Sequence, residues 1–210
     1  PMTDSTYKAA IFDLDGTLLD TIRDLAASMN WALASLGRPT HDEIEPFKYF
    51  IGDGVRNFAL RALGEGEEHL ADEVVRRLKQ HYSEHYNVYT EPFAGAIDML
   101  KTLHSKGLKL AVLSNKVDPF TKTMVAEMLG EVSFECVYGA RDDVPLKPDP
   151  AAALQIAGEL TAPPAQAIYV GDTGTDMLTG SRAGMFTVGV LWGYRTKEEL
   201  DELREAQRAR

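Results

Sequence analysis

The sequence predicts an α/β fold with a parallel sheet, helices on both of its faces and a small all-helical insertion, and three observations predict it. From Ala96 onward, amphipathic segments and apolar runs alternate as helix, strand, helix, strand. Between Thr40 and about Pro92 every periodic segment has helical spacing and no convincing strand is seen. The first apolar run, begun by Ala9 and Ala10, ends in two aspartates and Gly-Thr, IFDLDGTLLD over residues 11–20. A buried strand of an open parallel sheet ends in this way where it meets a ligand crevice.

After the opening strand, Thr21 is expected to cap a helix, with Asp24 reaching back as in a capping box. Ile22, Leu25, Ala26, Met29, Leu33 and Leu36 fall on one face of that helix, and Gly37 then Pro39 end it. The insertion continues with GVRNFALRAL and with EEHLADEVVRRLKQHYSEHY, where Leu70, Val74, Leu78 and Tyr82 share a face. Beyond PFAG the order is helix AIDMLKTLHSK, strand LKLAVLSN, helix DPFTKTMVAEMLG, strand FECVYGA, helix DPAAALQIAGEL, strand AIYVGD, helix DMLTGSRAG and strand TVGVLWG. Pro119 and Pro150 each follow an aspartate at an expected first helical turn. The highly charged last helix, TKEELDELREAQRAR, is expected to fray at its end. Residues 1–20 and 93–210 therefore read as the α/β catalytic core and 21–92 as a helical cap, with hinges near Asp20 and near Phe93 to Gly95.

With 22 basic and 32 acidic residues the formal charge of the 210-residue chain is -10, which opposes non-specific attraction to nucleic acid or anionic lipid. No apolar run approaches the length that spans a bilayer. The opening PMTDSTYK lacks the features of a signal peptide, so a cytoplasmic, reducing setting is expected for the single Cys136, to which no catalytic role is given. The expected partner is a small molecule, and the protein is expected to be a monomer or a weak homodimer.

Buried carboxylates are costly unless paired or bound to a cation, so Asp13 and Asp15 imply a positive partner. Two residues apart in extended chain, they leave the same side, and Gly16 permits a sharp exit. Leu14 between them is expected to return to the core. Other strand ends deliver Ser114 and Asn115, then Asp172, while Lys147 follows the FECVYGA strand. Oxygen ligands from Asp13, the Asp15 carbonyl and Asp172, without cysteine or histidine beside them, suit Mg2+ better than zinc.

The motifs DLDGT, the serine of LSNK, the lysine of LKPDP and GDTGTD, in this order over essentially the whole chain, resemble those of the haloacid dehalogenase superfamily of phosphohydrolases. The resemblance implies a Rossmann-like core and the small helical cap of that superfamily's first subclass. It implies a Mg2+-dependent phosphomonoester hydrolase that works through an aspartyl-phosphate, with Asp13 as nucleophile and Asp15 as acid and then base. Asp13, the Asp15 carbonyl and Asp172 are implied to hold the metal. Ser114 and the amides near Thr17 and Asn115 are implied to hold phosphoryl oxygens, Lys147 to balance the aspartyl-phosphate, and Asp176 to orient Lys147 or the metal's waters. Asp15 argues against dehalogenation, which lacks that proton shuttle.

LSNK followed by DPFTK, the cap segment FIGDGVRNFALRAL and LWGYR are similar to the phosphoglycolate phosphatase group, which makes a small ester such as 2-phosphoglycolate the leading substrate. Its carboxylate is expected to meet Lys116 with Arg56 or Lys48 of the cap. A phosphomutase of the beta-phosphoglucomutase kind and a catalytically silent binding or regulatory protein remain as alternatives. Asp149 reads as a helix cap, His81 and His85 as surface histidines facing solvent or a tyrosine, and Tyr82, Tyr86 and Tyr89 as cap core.

Overall fold

The computed structural model describes residues 7–208, with side chains through Glu202. Strand β1 (Ala9–Phe12) opens the fold and β2 (Leu19–Asp20) leads away from it. Helices α1 (Ile22–Ser35), α2 (Phe47–Phe50), α3 (Val55–Leu63) and α4 (Ala71–His85) form the insertion, and β3 (Glu91–Pro92) returns beside β2. The remainder alternates through α5 (Ala96–Ser105), β4 (Lys109–Val117), α6 (Asp118–Met128), β5 (Cys136–Ala140), α7 (Ala151–Glu159), β6 (Ala167–Gly171), α8 (Gly174–Arg182), β7 (Phe186–Gly189) and α9 (Lys197–Arg208). Most of PMTDSTYK, on which the expectation of no leader peptide rests, and the last two residues of the end expected to fray lie outside the described residues.

Five strands form one parallel sheet in the order β5-β4-β1-β6-β7. β1 sits at the centre, with the strands that follow the insertion on one side and the last two on the other, so the order reverses beside it. Alternation along β1 sends Ala10 and Phe12 to one face and Ala9 and Ile11 to the other, all buried. The Ala9 face packs on Ala152, Ala153, Ile156 and Ala157 of α7 with Tyr169, Ala183 and Met185. The Phe12 face joins Leu100 of α5 and Met124 of α6 to Met29, Phe47, Phe58 and Leu78 of the insertion. Sheet and cap therefore share one apolar cluster. Each large side chain in it contributes roughly 1.5–3 kcal/mol by burial.

Two local expectations are corrected. A short strand does occur before Pro92: Leu19 and Asp20 pair antiparallel with Pro92 and Glu91, tying together the two connections between sheet and insertion. The capping box at Thr21 does not form, because both side chains are taken by tighter partners. The Thr21 hydroxyl donates to Asp15 Oδ1 at 2.6 Å. Asp24, buried, accepts from the Tyr89 amide at 3.0 Å, the Thr90 amide at 2.9 Å and the Thr90 hydroxyl at 2.7 Å. It staples the start of α1 to the returning connection. Asp149 does act as a turn cap, accepting from the Ala151 amide at 2.9 Å.

The histidines of α4 and the tyrosines in and after it match expectation only in part. His81 stacks on Trp31 with centroids 4.9 Å apart and on His85 at 4.0 Å, so its aromatic neighbour is a tryptophan. Burial and the His85 charge lower its pKa. Tyr89 is exposed, Tyr86 donates to Glu127 at 2.7 Å, and only Tyr82 is buried. Cys136 donates to Glu159 at 3.1 Å, and burial and that carboxylate push its thiol up to about 12. Such a thiol is no nucleophile at neutral pH. Among the described residues no helix is long and apolar enough to cross a membrane.

Replacing Asp24 by alanine would leave the Tyr89 and Thr90 amides without their acceptor, at a cost of about 3 kcal/mol. The expected result is a fall in Tm of about 6–12 °C for a chain of this size, with a smaller fall for Asp24→Asn. Thermal unfolding followed by circular dichroism checks this, and an unchanged Tm in Asp24→Ala would contradict the staple.

Candidate active site

The register of the sheet assembles the site. Phe12 is level with Val112 of β4 and with Val170 of β6. One residue further, the Asp13 amide still donates to the Val170 carbonyl at 2.9 Å, and two strand tips beside it present Ser114 and Asp172. Gly16 (φ +88°) then turns the chain away, and a Cβ there would stand 2.4 Å from Asp172 Oδ2. This is a position that only glycine fits. Leu14 returns to the core, fully buried, as expected.

Asp13, Asp172 and Asp176 are buried and offer carboxylate oxygens within 4.8 Å of one another. Among the described residues this is the only such grouping of potential metal-ligating side chains. Lys147 Nζ donates to Asp13 Oδ1 and to Asp176 Oδ1, each at 2.7 Å. One ammonium thus faces three carboxylates. Asp172 accepts from the Thr17 hydroxyl at 3.0 Å and from the Tyr194 amide at 2.8 Å. Asp176 caps α8 in a capping box with Thr173, whose hydroxyl donates to Asp176 Oδ2 at 2.6 Å.

Electrostatics follow from the imbalance. Burial and the Asp176 charge raise the Asp13 pKa well above the ordinary range, with Asp172 adding to them and Lys147 opposing. Burial and Asp176 push Asp172 up to about 7. Burial alone would depress Lys147, but Asp13 and Asp176 outweigh it and hold the ammonium well above its ordinary value. Three acids against one lysine, all oxygen donors and all buried, suit a hard divalent cation.

Asp15 stands apart from this cluster. Its Oδ1 accepts from Lys116 Nζ at 2.7 Å and from the Thr21 hydroxyl at 2.6 Å. The positive partner implied for each of these two acids includes a lysine of its own, Lys147 for Asp13 and Lys116 for Asp15. Lys116 also lies 4.9 Å over the Tyr82 ring, which burial pushes up to about 12. Tyr82 is thus both part of the cap core, as expected, and a wall of the site.

Other side chains named from the sequence sit in different relations to the cleft. Ser114 Oγ accepts from the Lys116 amide at 3.1 Å, which leaves its own proton to give. Asn115 receives the Lys147 amide at 2.8 Å and donates to the Lys147 carbonyl and to the Gly52 carbonyl, both at 3.0 Å. Its side chain clasps the lysine loop and the cap, and the residue lines the cleft. The Thr17 amide is spent in a turn on the Leu14 carbonyl at 3.2 Å, and its hydroxyl holds Asp172, so Thr17 braces a carboxylate. Arg56 is not brought to the cleft. It is exposed and pairs with Asp72 at 3.3 Å, because α3 turns Val55 and Phe58 inward and Arg56 outward. Lys48 pairs with Glu45 at 2.9 Å, also away from the cleft.

The chain matches the family model for haloacid dehalogenase-like hydrolases over residues 10–190. It belongs to that family. A phosphoglycolate phosphatase of Aquifex aeolicus is 35% identical over 89% of this chain and 86% of its own length. Phosphoglycolate phosphatase 1 of Pseudomonas aeruginosa is 34% identical over 93% of this chain and 73% of its own. The crystal structure of a predicted phosphoglycolate phosphatase from Haemophilus somnus superposes with a TM-score of 0.86 at 25% identity, covering 97% and 93% of the two chains. The α/β reading of the sheet and its helical cap agrees with this family membership.

Three positions escaped the sequence reading. Tyr194 sets its amide on Asp172, receives the Thr21 amide at 3.0 Å and lies 3.3 Å from the Thr21 hydroxyl that holds Asp15. Gly193 precedes it because a Cβ there would meet Asp172 Cβ at 2.3 Å. Asp53 of the cap accepts from Thr175 on α8 at 2.8 Å, and against burial its pKa is lowered by Arg61 and Thr175. The cap is thereby drawn down over the acid cluster. Nothing in the local pattern of LWGYR or FIGDG signals these long-range contacts.

With Asp13 and Asp172 raised in the folded state, the metal-free protein binds more protons folded than unfolded between about pH 4 and 7. The stability these two groups contribute is therefore fully present below about pH 4 and is lost as pH rises through about 7. In chelator, Tm should fall from about pH 5.5 to about pH 8, and magnesium should raise Tm more at the higher pH. Equal magnesium shifts at both pH values would contradict the uncompensated cluster.

Proposed function

We propose that this chain is a Mg2+-dependent phosphomonoester hydrolase that forms an aspartyl-phosphate on Asp13 and acts on a small phosphorylated metabolite, with 2-phosphoglycolate as leading substrate. The observation that carries the reading is a buried carboxylate, Asp13, held by Lys147 within an acid cluster, with a second carboxylate, Asp15, held separately nearby. The substrate follows from relatives that bear the name phosphoglycolate phosphatase at 31–35% identity.

In this reading Asp13 Oδ attacks phosphorus as the ester bond to the leaving oxygen breaks, and Asp15 gives that oxygen its proton. Asp15 then takes a proton from water, whose oxygen attacks the aspartyl-phosphate and frees Asp13 with release of inorganic phosphate. Asp13, the Asp15 carbonyl and Asp172 would hold Mg2+, which when bound supplies positive charge between nucleophile and phosphate. Lys147 balances the Asp13 charge before attack and the phosphoryl charge after it, and Asp176 keeps its ammonium in place. Ser114 donates its free proton to a phosphoryl oxygen. Lys116 and the Thr21 hydroxyl fix the orientation of Asp15 through its Oδ1. The clasp of Asn115 on Gly52 and of Asp53 on Thr175 keeps bulk water out during both half-reactions.

Asp13→Asn should lower kcat by at least about a thousandfold on any ester. Wild-type protein with magnesium should release glycolate and inorganic phosphate in equal amounts, and acid quenching during turnover should trap phosphate on Asp13. Return of the phosphoryl group to a sugar would support a mutase instead. Turnover in Asp13→Asn close to wild type would remove the mechanism.

A further inference from the structure

We propose that Lys79 receives a second anionic group on the leaving portion of the substrate, so that the cleft selects phosphate esters of small acids over esters of neutral alcohols. The proposal deepens the hydrolase reading above and concerns the outer half of the same cleft. Ile51, Val55, Phe58, Leu78 and Tyr82 of the cap, with Phe120 of α6, form an apolar wall facing the acids. The cavity is small, about 80 Å³, and admits a leaving group of only a few heavy atoms.

Three lysines line it, Lys79, Lys116 and Lys147. Lys147 is shared by Asp13 and Asp176, and Lys116 is held by Asp15. Lys79 has no acidic partner among the described residues, so it is the surplus cation of the lining. The other cap cations near at hand are engaged elsewhere: Arg56 with Asp72, Arg61 with Asp53, Arg77 with Glu73 and Lys48 with Glu45. Lys79 follows Leu78 on α4 and is both a lining residue and exposed. A lysine that is both can lay its stem along the wall and keep its ammonium at the mouth. At the mouth solvent weakens this charge, yet it still attracts an anionic group on the leaving portion, whereas a neutral leaving group gains nothing from it.

The experiment compares kcat/KM for 2-phosphoglycolate with that for ethyl phosphate, which lacks the carboxylate at similar size. Wild type should prefer the acid at least about tenfold. Lys79→Met should cut that preference ratio about tenfold, mostly through KM, Lys79→Arg should restore most of it, and Lys79→Glu should reverse it. A ratio unchanged in Lys79→Met, or a wild type indifferent to the carboxylate, overturns the proposal. Calorimetric binding of 2-phosphoglycolate in the Asp13→Asn background, with and without Lys79→Met, separates the two readings. Binding weakened about tenfold by Lys79→Met supports Lys79 even where no ester is turned over and the hydrolase reading fails. Equal binding removes Lys79 while leaving the hydrolase reading to its own test.

Discussion

Three buried carboxylates meeting a single ammonium are the constraint on which the rest of the structure depends. Such an arrangement is unfavourable in isolation, since desolvation penalises every charge and Asp13, Asp172 and Asp176 repel one another. It persists because each acid is held by groups that come from different parts of the chain. Thr17 and the Tyr194 amide hold Asp172, Thr173 holds Asp176, and Lys147 holds two of the three. The sheet makes this possible by bringing β1, β4 and β6 level at their carboxyl ends. The fold thereby stabilises an arrangement that is electrostatically poor on its own.

Around that cluster the two lysine partnerships divide the labour. Lys147 lies fully inside, between acids, and stays charged despite its burial. Lys116 is likewise buried, and Asp15 and Tyr82 overcome the burial that would neutralise it. Asp13 and Asp15, neighbours in sequence, are thereby kept in separate electrostatic surroundings, which is what two carboxylates need if they are to perform different steps.

Much of this was legible in the sequence because it is carried by short-range pattern. Strand and helix alternation from Ala96 on, the helical insertion, and the acids, serine and lysine at strand ends each leave a local signature. Leu14 returning to the core between two acids follows from simple alternation. What the pattern could not supply is the identity of partners distant in sequence. Thr21 and Asp24 have the spacing of a capping box, yet tertiary acceptors and donors from Asp15, Tyr89 and Thr90 compete for them and win. Arg56 is a reasonable anion receptor by type, but the rotation of α3 turns it outward, a matter of about 100° per residue that composition does not reveal. The side chains of Thr17 and Asn115 brace Asp172 and the lysine loop, roles that depend on partners far away in sequence.

The continuous apolar cluster running from Phe12 through Met124 into Phe47 and Phe58 has a consequence for how this protein can change over time. The lid is not a separate bead tethered to a sheet, because its interior is the sheet's interior. Exchanging such a lid between relatives would transplant half of a shared seam, and the graft would hold only where both halves still interlock.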